Sequence, residues 1–443
     1  MRRLLFIFSF LSLLVVDGKA QEVETLTLED CLRIGIDNNL SLEGKRKEIQ
    51  KSKYGVSENR SKLLSQITVI AGYNNNFDPP VSVTDGSSYG VPYNITKTLQ
   101  HTANAGLEMQ MPLFNQTLYT SMSIAKVMEE ISRLSYGKAR EDIIMQISKM
   151  YYLGQVTAEQ IVLIKANITR LEELRDITQA FFDNGMSMEV DLKRVNINLE
   201  NLKVQYDNAQ AMMKQQLNML KYIMDYPAEK EFVLTPVNTD SITTVALTGL
   251  SENIYELQLS QSQVQLAEKQ KKIISNGYIP SLSLTGSWRY AAYTDKGYHW
   301  FHSGPSNHWF RSYGLGLTLR IPIFDGLDKT YKIKKAMIDI ENSKLAWENA
   351  RKSLQTQYLN AVNDLMNNQR NFKKQKDNYL LAEDVYTVTS DRYREGIASM
   401  TEVLQDEMQM SEAQNNYISA HYNYRITNLM LLKLTGQIES LVK

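Results

Sequence analysis

The chain has 443 residues, and lysine plus arginine equals aspartate plus glutamate at 49 each. That balance leaves no net field to draw in nucleic acid. No Walker loop, zinc-spaced cluster or Ser-His-Asp set marks an enzyme or calls for a cofactor, and the single cysteine, Cys31, excludes an intrachain disulfide.

The N-terminus is a secretory signal. Arg2 and Arg3 precede an apolar run from Leu4 to Val16, and Asp17-Gly18-Lys19-Ala20 supplies small residues for cleavage after Ala20. The run is too short for a bilayer span, which needs ~20 residues. Removing residues 1–20 leaves a net charge of about −2. Cys31 lies past the cut, so it is not at the mature N-terminus where an acyl chain could be attached; it reads as a small buried residue on the first helix. No later window has 18 or more apolar residues, so no transmembrane helix is expected. Barrel strands give a weaker signal and stay open.

The chain then repeats itself. Helix is expected over 40–63, a strand at Ile67–Ala71, a loop over 74–103 and a second strand ending at Met111. The phrase Met111-Pro112-Leu113-Phe114-Asn115-Gln116 follows. A helix over 116–183, a turn at Gly185 and a helix over 187–226 complete the set. The second copy runs through a helix over 251–277, a strand from Leu282 to Tyr290, a loop over 291–312 and a strand from Leu315 to Ile321. It continues with Ile321-Pro322-Ile323-Phe324-Asp325-Gly326, a helix over 327–393, Gly396 and a helix over 399–434. Asn38–Leu42 matches Asn253–Leu257 at an offset of 215, the proline phrases match at 210, and the Gly185 and Gly396 turns match at 211. Residues 21–226 and 227–443 are therefore two structural repeats, the second including the connecting segment.

The helical segments rest on two observations. No proline occurs from Leu113 to Tyr226 or from Ile323 to Lys443. Ile161, Ile164, Ile168, Leu171, Leu174, Ile177 and Phe181 recur at spacings of three and four, a narrow coiled-coil-like seam. Each long helix would extend ~100 Å at ~1.5 Å per residue, matched by two shorter helices end to end. The strands alternate: Leu282, Leu284, Gly286, Trp288 and Tyr290 oppose Ser283, Thr285, Ser287 and Arg289. Two readings fit this pattern, a half-buried hairpin on a soluble core and a lipid-facing strand pair whose Trp288, Tyr290 and Tyr313 lie at an interface. Four strands cannot close a barrel, and lipid does not tolerate open edges, so the second reading requires oligomers. Two subunits give eight strands, filled by side chains, and three give twelve, leaving a lumen.

The duplication, the two proline-phenylalanine junctions and the two glycine turns resemble the TolC-like outer-membrane efflux proteins. Residues Arg392–Gly396, Thr401-Glu402-Val403-Leu404, Tyr422, Tyr424 and Gly436 carry the match most closely. The resemblance implies an α+β membrane protein, a homotrimer with a twelve-stranded β-barrel in outer-membrane lipid, four strands per subunit. It also implies a periplasmic α-helical barrel docking to a periplasmic adaptor and an inner-membrane transporter of RND or ABC type. The expected function is the exit duct of a tripartite efflux pump or type I secretion system in a Gram-negative bacterium. The alternative is a periplasmic coiled-coil scaffold that conducts nothing.

The same resemblance assigns a periplasmic gate to Asp191, Tyr393 and Glu402, with Gly185 and Gly396 as helical tip turns. Pro112, Phe114, Pro322 and Phe324 mark the strand-to-helix junctions, where each proline ends the ladder. Three subunits would bring three Glu402 and three Asp191 around one axis, a ring that draws in cations. Two positions depart from the family: an arginine is replaced by Ala398 and a second ring carboxylate by Gln405, with Arg392, Arg394 and Asp406 as nearby substitutes. His299, His302 and His308 share a loop that reads as an aromatic outer loop rather than a metal site. Met186, Met188 and Met400 near the tips read as pliable packing rather than a soft-metal path.

Overall fold

The computed structural model describes residues 24–97, 99–236, 249–294 and 308–442. The expected signal peptide, residues 237–248, and His299 and His302 with their neighbours fall outside these residues, and His308 is described by its backbone alone.

The elements run β1 (Glu24–Leu26), α1 (Leu28–Asn38), α2 (Leu40–Ser61), β2 (Gln66–Asn75), β3 (Val81–Asp85), β4 (Tyr93–Lys97), β5 (His101–Phe114), α3 (Gln116–Asp183) and α4 (Glu189–Met224). They continue with β6 (Phe232–Leu234), α5 (Tyr255–Asn276), β7 (Ser281–Thr294), β8 (His308–Arg320), α6 (Asp328–Arg394) and α7 (Met400–Leu434). The helix boundaries lie within a few residues of those read from proline spacing. The first helix is divided, however, with a break at Asn39, and the expected loop over 74–103 contains the β3–β4 hairpin.

The chain forms two compact units, each drawing on both repeats. One comprises residues 41–140 and 250–357 and holds a four-stranded antiparallel sheet in the order β2-β5-β7-β8. Its register sorts the side chains. Val69 faces Leu107, which faces Trp288, which faces Tyr313. Met111, Leu284 and Leu317 form another apolar row on the same face, because directly opposed residues share a side of the pleat. The opposite face carries Thr68, Glu108 and Ser287 in one row and Gln66, Gln110 and Thr285 in the next. This polar face lines an open hollow, and Arg289 pairs across it with Glu108. Among the described residues β2 and β8 each pair with one strand only. The outer strand β8 leaves Leu315 80% and Leu317 67% exposed.

The junctions explain the repeated phrase. Asn115 caps α3, its Oδ1 accepting from the Thr117 and Leu118 N–H groups at 3.0 and 3.3 Å. At the equivalent place Asp325 accepts from the Lys329 N–H at 3.2 Å and its ammonium at 3.0 Å. Each phrase thus ends a strand and caps the next helix. Pro322 follows β8 by two residues, as expected. Pro112 does not end the ladder: β5 continues to Phe114, and the register shifts between Pro112 and Phe114. The missing N–H of proline is accommodated at that bulge rather than at the strand end.

The second unit comprises residues 24–40, 141–249 and 358–442 within the described span. Its core is the seam read from sequence, now seen with its partners. Ile164, Leu171 and Leu174 of α3 pack with Val195, Leu199 and Leu202 of α4, Tyr386 and Tyr393 of α6, and Val403, Leu404 and Met410 of α7. A short parallel pair, β1 with β6, closes beside it; the Tyr151 hydroxyl donates to the Leu26 carbonyl at 3.3 Å and the Gln155 amide to the Thr235 carbonyl at 2.6 Å. Helix α1 approaches at Gly35, where any β-carbon would meet Ile147. Cys31 is fully buried on α1, and burial pushes its thiol up to about 12, so it stays a protonated packing group.

Candidate functional site

Both long helices end in the same device. Gly185 and Gly396 have φ of 71° and 74°. The Gly185 N–H donates to the Phe182 carbonyl at 2.9 Å and the Met186 N–H to Phe181 at 2.8 Å; Gly396 donates to Tyr393 at 2.9 Å and Ile397 to Arg392 at 2.8 Å. These are Schellman turns. Nothing lies within 4 Å of a β-carbon built on either glycine, so the backbone conformation, not space, requires glycine here.

Six residues past each glycine, Asp191 and Glu402 occupy the third position of α4 and α7, so the two carboxylates are repeat equivalents. Their partners differ. Ser399 caps α7, the Glu402 N–H donating to its Oγ at 3.3 Å, while the Ser399 N–H donates back to the Glu402 carboxylate at 3.0 Å. This is a capping box. At the start of α4 the cap is Met188, which has no oxygen to offer. Asp191 instead pairs with Arg194 at 3.3 Å, and the same guanidinium nitrogen donates to the Thr401 hydroxyl at 3.4 Å, linking α4 to α7. Glu402 is exposed, whereas the Asp191 side chain keeps 14% exposure.

Tyr393 is 5% exposed. Its hydroxyl donates to Thr178 Oγ1 at 3.3 Å, and its ring lies 5.6 Å from that of Phe181. Burial first, and then the charge of nearby Asp191, hold its hydroxyl above the ordinary tyrosine range. The structure therefore brings Asp191, Tyr393, Thr178 and Arg194 to one helix end. Of the proposed substitutes for the absent arginine, Arg394 is committed to Glu173 at 3.3 Å and Asp391 at 3.5 Å. Arg194 holds Asp191 instead. Ala398 is buried in the core, and Gln405 is exposed beside a groove lined by Arg194, Ile197, Thr401, Leu404 and Met408. Met400 packs in the core, while Met186 and Met188 are about two-thirds exposed, at 68% and 67%. The roles of Arg194 and Ser399 have local signals that were overlooked: Asp191 and Arg194 at a spacing of three, and Ser399-x-x-Glu402 as a capping pattern.

Further along the same helices a polar cluster is sealed in. Glu407 is 5% exposed, and burial raises its carboxyl pKa against the lowering effect of Arg170. Arg170 reaches Glu383 at 3.4 Å, donates to Asn167 and lies over the Tyr386 ring. Asn167 donates in turn to Gln414 at 2.7 Å. One oxygen of Glu407 has no hydrogen-bond partner among the described residues.

The sequence pattern of the outer membrane efflux protein family matches residues 34–224 and 240–437. The chain belongs to that family. Both proline phrases, both glycine turns, Asp191, Tyr393 and Glu402 fall inside the matched residues. Among relatives, the outer membrane protein TolC of Vibrio cholerae is 21% identical over 396 residues, covering 86% of this chain and 84% of that protein. The probable efflux pump outer membrane protein TtgC of Pseudomonas putida is 23% identical over 382 residues, covering 81% and 75%. The fold is similar to the open-state outer membrane channel MtrE of Neisseria gonorrhoeae, with a TM-score of 0.73, 18% identity, and 92% and 88% of the two chains covered.

Proposed function

We propose that this outer membrane efflux family member is one subunit of a homotrimeric exit duct that passively conducts substrates out of a Gram-negative cell. Three subunits contribute four strands each to a twelve-stranded barrel in outer-membrane lipid. Their helices form a periplasmic tube that docks to a periplasmic adaptor and an inner-membrane RND or ABC transporter, for drug efflux or type I secretion. The sheet carries this reading most directly. It has one apolar face running across all four strands, one polar face, and two strands with a free edge among the described residues. A face of that kind needs lipid, and edges of that kind need neighbouring copies. The test is light scattering in detergent together with conductance in planar bilayers. A trimer mass with pores supports the duct; a detergent-free soluble monomer without pores leaves the periplasmic scaffold.

In this duct Glu402 and Asp191 line the periplasmic aperture, with Tyr393 and Arg194 holding it narrow. Glu402→Gln can still accept the Ser399 N–H but removes the charge. The expected result is higher single-channel conductance and weaker block by divalent cations. Ser399→Ala is the control, costing about 1 kcal/mol of helix stability with the carboxylate kept. Block unchanged in Glu402→Gln assigns this residue to capping alone.

A further inference from the structure

Cations that make no ion pair among the described residues crowd the helix ends next to the four-stranded sheet. Arg60 is one residue from the end of α2. Lys269, Lys271 and Lys272 lie in the last two turns of α5, and Lys334 and Lys335 in the first two turns of α6. At ~1.5 Å per residue all lie within roughly 11 Å of a helix end that a short linker joins to a strand. The carboxylates of this band are already spent on other lysines: Glu58 on Lys62 at 3.0 Å, Asp325 on Lys329 at 3.0 Å and Asp328 on Lys332 at 2.7 Å. Glu268, one turn below Lys271 and Lys272, makes no ion pair with them among the described residues. The whole chain is balanced at 49 against 49, so this excess is local.

Exposed apolar and aromatic groups share the band. Ile323 is 94%, Phe324 80% and Tyr331 63% exposed. The Lys334 ammonium lies 5.7 Å from the centre of the Tyr331 ring, and the Lys329 ammonium 4.9 Å from that of Tyr278. Aromatic rings at the edge of an apolar face, with lysines on flexible apolar stems just beyond it, match the chemistry of a bilayer interface. A solvated helix surface does not require the aromatics.

We propose that this band binds the headgroups of anionic phospholipids in the periplasmic leaflet, fixing the depth of the sheet. The inference rests on the lipid-embedded reading of the sheet. Near an anionic surface each cation strengthens binding by about fivefold, an effect that fades beyond a Debye length.

The test uses the full-length oligomer and the variant K271Q/K272Q/K334Q/K335Q, with K373Q/K374Q, farther along α6, as control. Insertion is measured into vesicles of pure phosphatidylcholine and of phosphatidylcholine with phosphatidylglycerol, at low and high salt. The wild type and the control prefer the anionic vesicles by at least tenfold at low salt, and high salt removes the preference. The quadruple variant inserts equally into both. Retained anionic preference in the quadruple variant, or none in the wild type, overturns the proposal. Inorganic phosphate that abolishes the preference at an ionic strength where chloride does not also overturns it, since the band then selects free anions. Failure to insert into either vesicle overturns this proposal and the duct reading together, whereas insertion and conductance without lipid preference overturns this one alone.

Discussion

Leu317→Arg prevents the sheet from inserting into a bilayer, while Thr318→Arg, one residue along the same strand, leaves insertion intact. Leu317 stands opposite Leu284, which stands opposite Met111, on the apolar face. Thr318 stands opposite Ser283 and Pro112 on the other. Period-two alternation makes neighbouring residues members of different solvents. An arginine on a lipid-facing strand costs about 2–4 kcal/mol at mid-bilayer, and in the proposed duct each copy adds its own cost. Thr318 lines a second open hollow with Gln66, Gln110, Ser283 and Arg320, where a guanidinium stays hydrated. The readout is the fraction of protein recovered as membrane-embedded oligomer after reconstitution. Equal recovery of the two variants removes the barrel reading of the sheet.

Arg170→Ala loosens the helical unit by about 1–2 kcal/mol, below the ~3–5 kcal/mol that breaking a buried ion pair costs, because the Arg170 and Glu383 side chains keep 30% and 34% exposure. The loss falls on Glu407, left buried with no cation beside it, and on Asn167 and Glu383, which each lose a donor. Glu407→Gln acts the other way. Burial raises the Glu407 pKa in the folded chain above its ordinary 4.5. Below that ordinary value both folded and unfolded chains hold the proton and there is no penalty. As pH rises through it the unfolded chain releases its proton first, so this group removes stability until its folded pKa is passed. Glu407→Gln therefore raises the melting temperature at pH 7 and not at pH 4, and it recovers part of the Arg170→Ala loss. Thermal unfolding of the four variants at both pH values checks this. A gain at pH 4 as large as that at pH 7 rejects the assignment.

The helices were legible because proline exclusion and spacings of three and four are local signals that long segments repeat many times. The strands were legible for the same reason: Leu282 to Tyr290 alternates without a break. The β3–β4 hairpin was missed although Val81, Val83, Tyr93 and Ile95 also alternate. Its exposed strands have no core to make one face uniformly apolar, and Pro79, Pro80 and Pro92 around them read as loop. The β1–β6 pair joins three-residue segments about half a chain apart, and no window holds both. In the tip region the glycines and carboxylates were found by resemblance. The Asn167–Gln414 hydrogen bond spans 247 residues, so no local pattern announces it. The shift of the ladder past Pro112 depends on how β7 aligns with β5, which the sequence of β5 alone does not encode.

The two Schellman turns look interchangeable, but the helices that follow them do not start equally well. Helix α7 begins with two reciprocal hydrogen bonds between Ser399 and Glu402, whereas α4 begins at Met188 with none from its side chain. What steadies the first turn of α4 is the reach of Arg194 toward Thr401, a tether that depends on the other repeat. The two repeats thus differ here: α7 is capped within its own first turn, whereas α4 relies on Arg194, which pairs with Asp191 in the same helix and with Thr401 in the other repeat. In the proposed duct, parting α4 from α7 breaks the Arg194–Thr401 contact and leaves the capping box of α7 untouched.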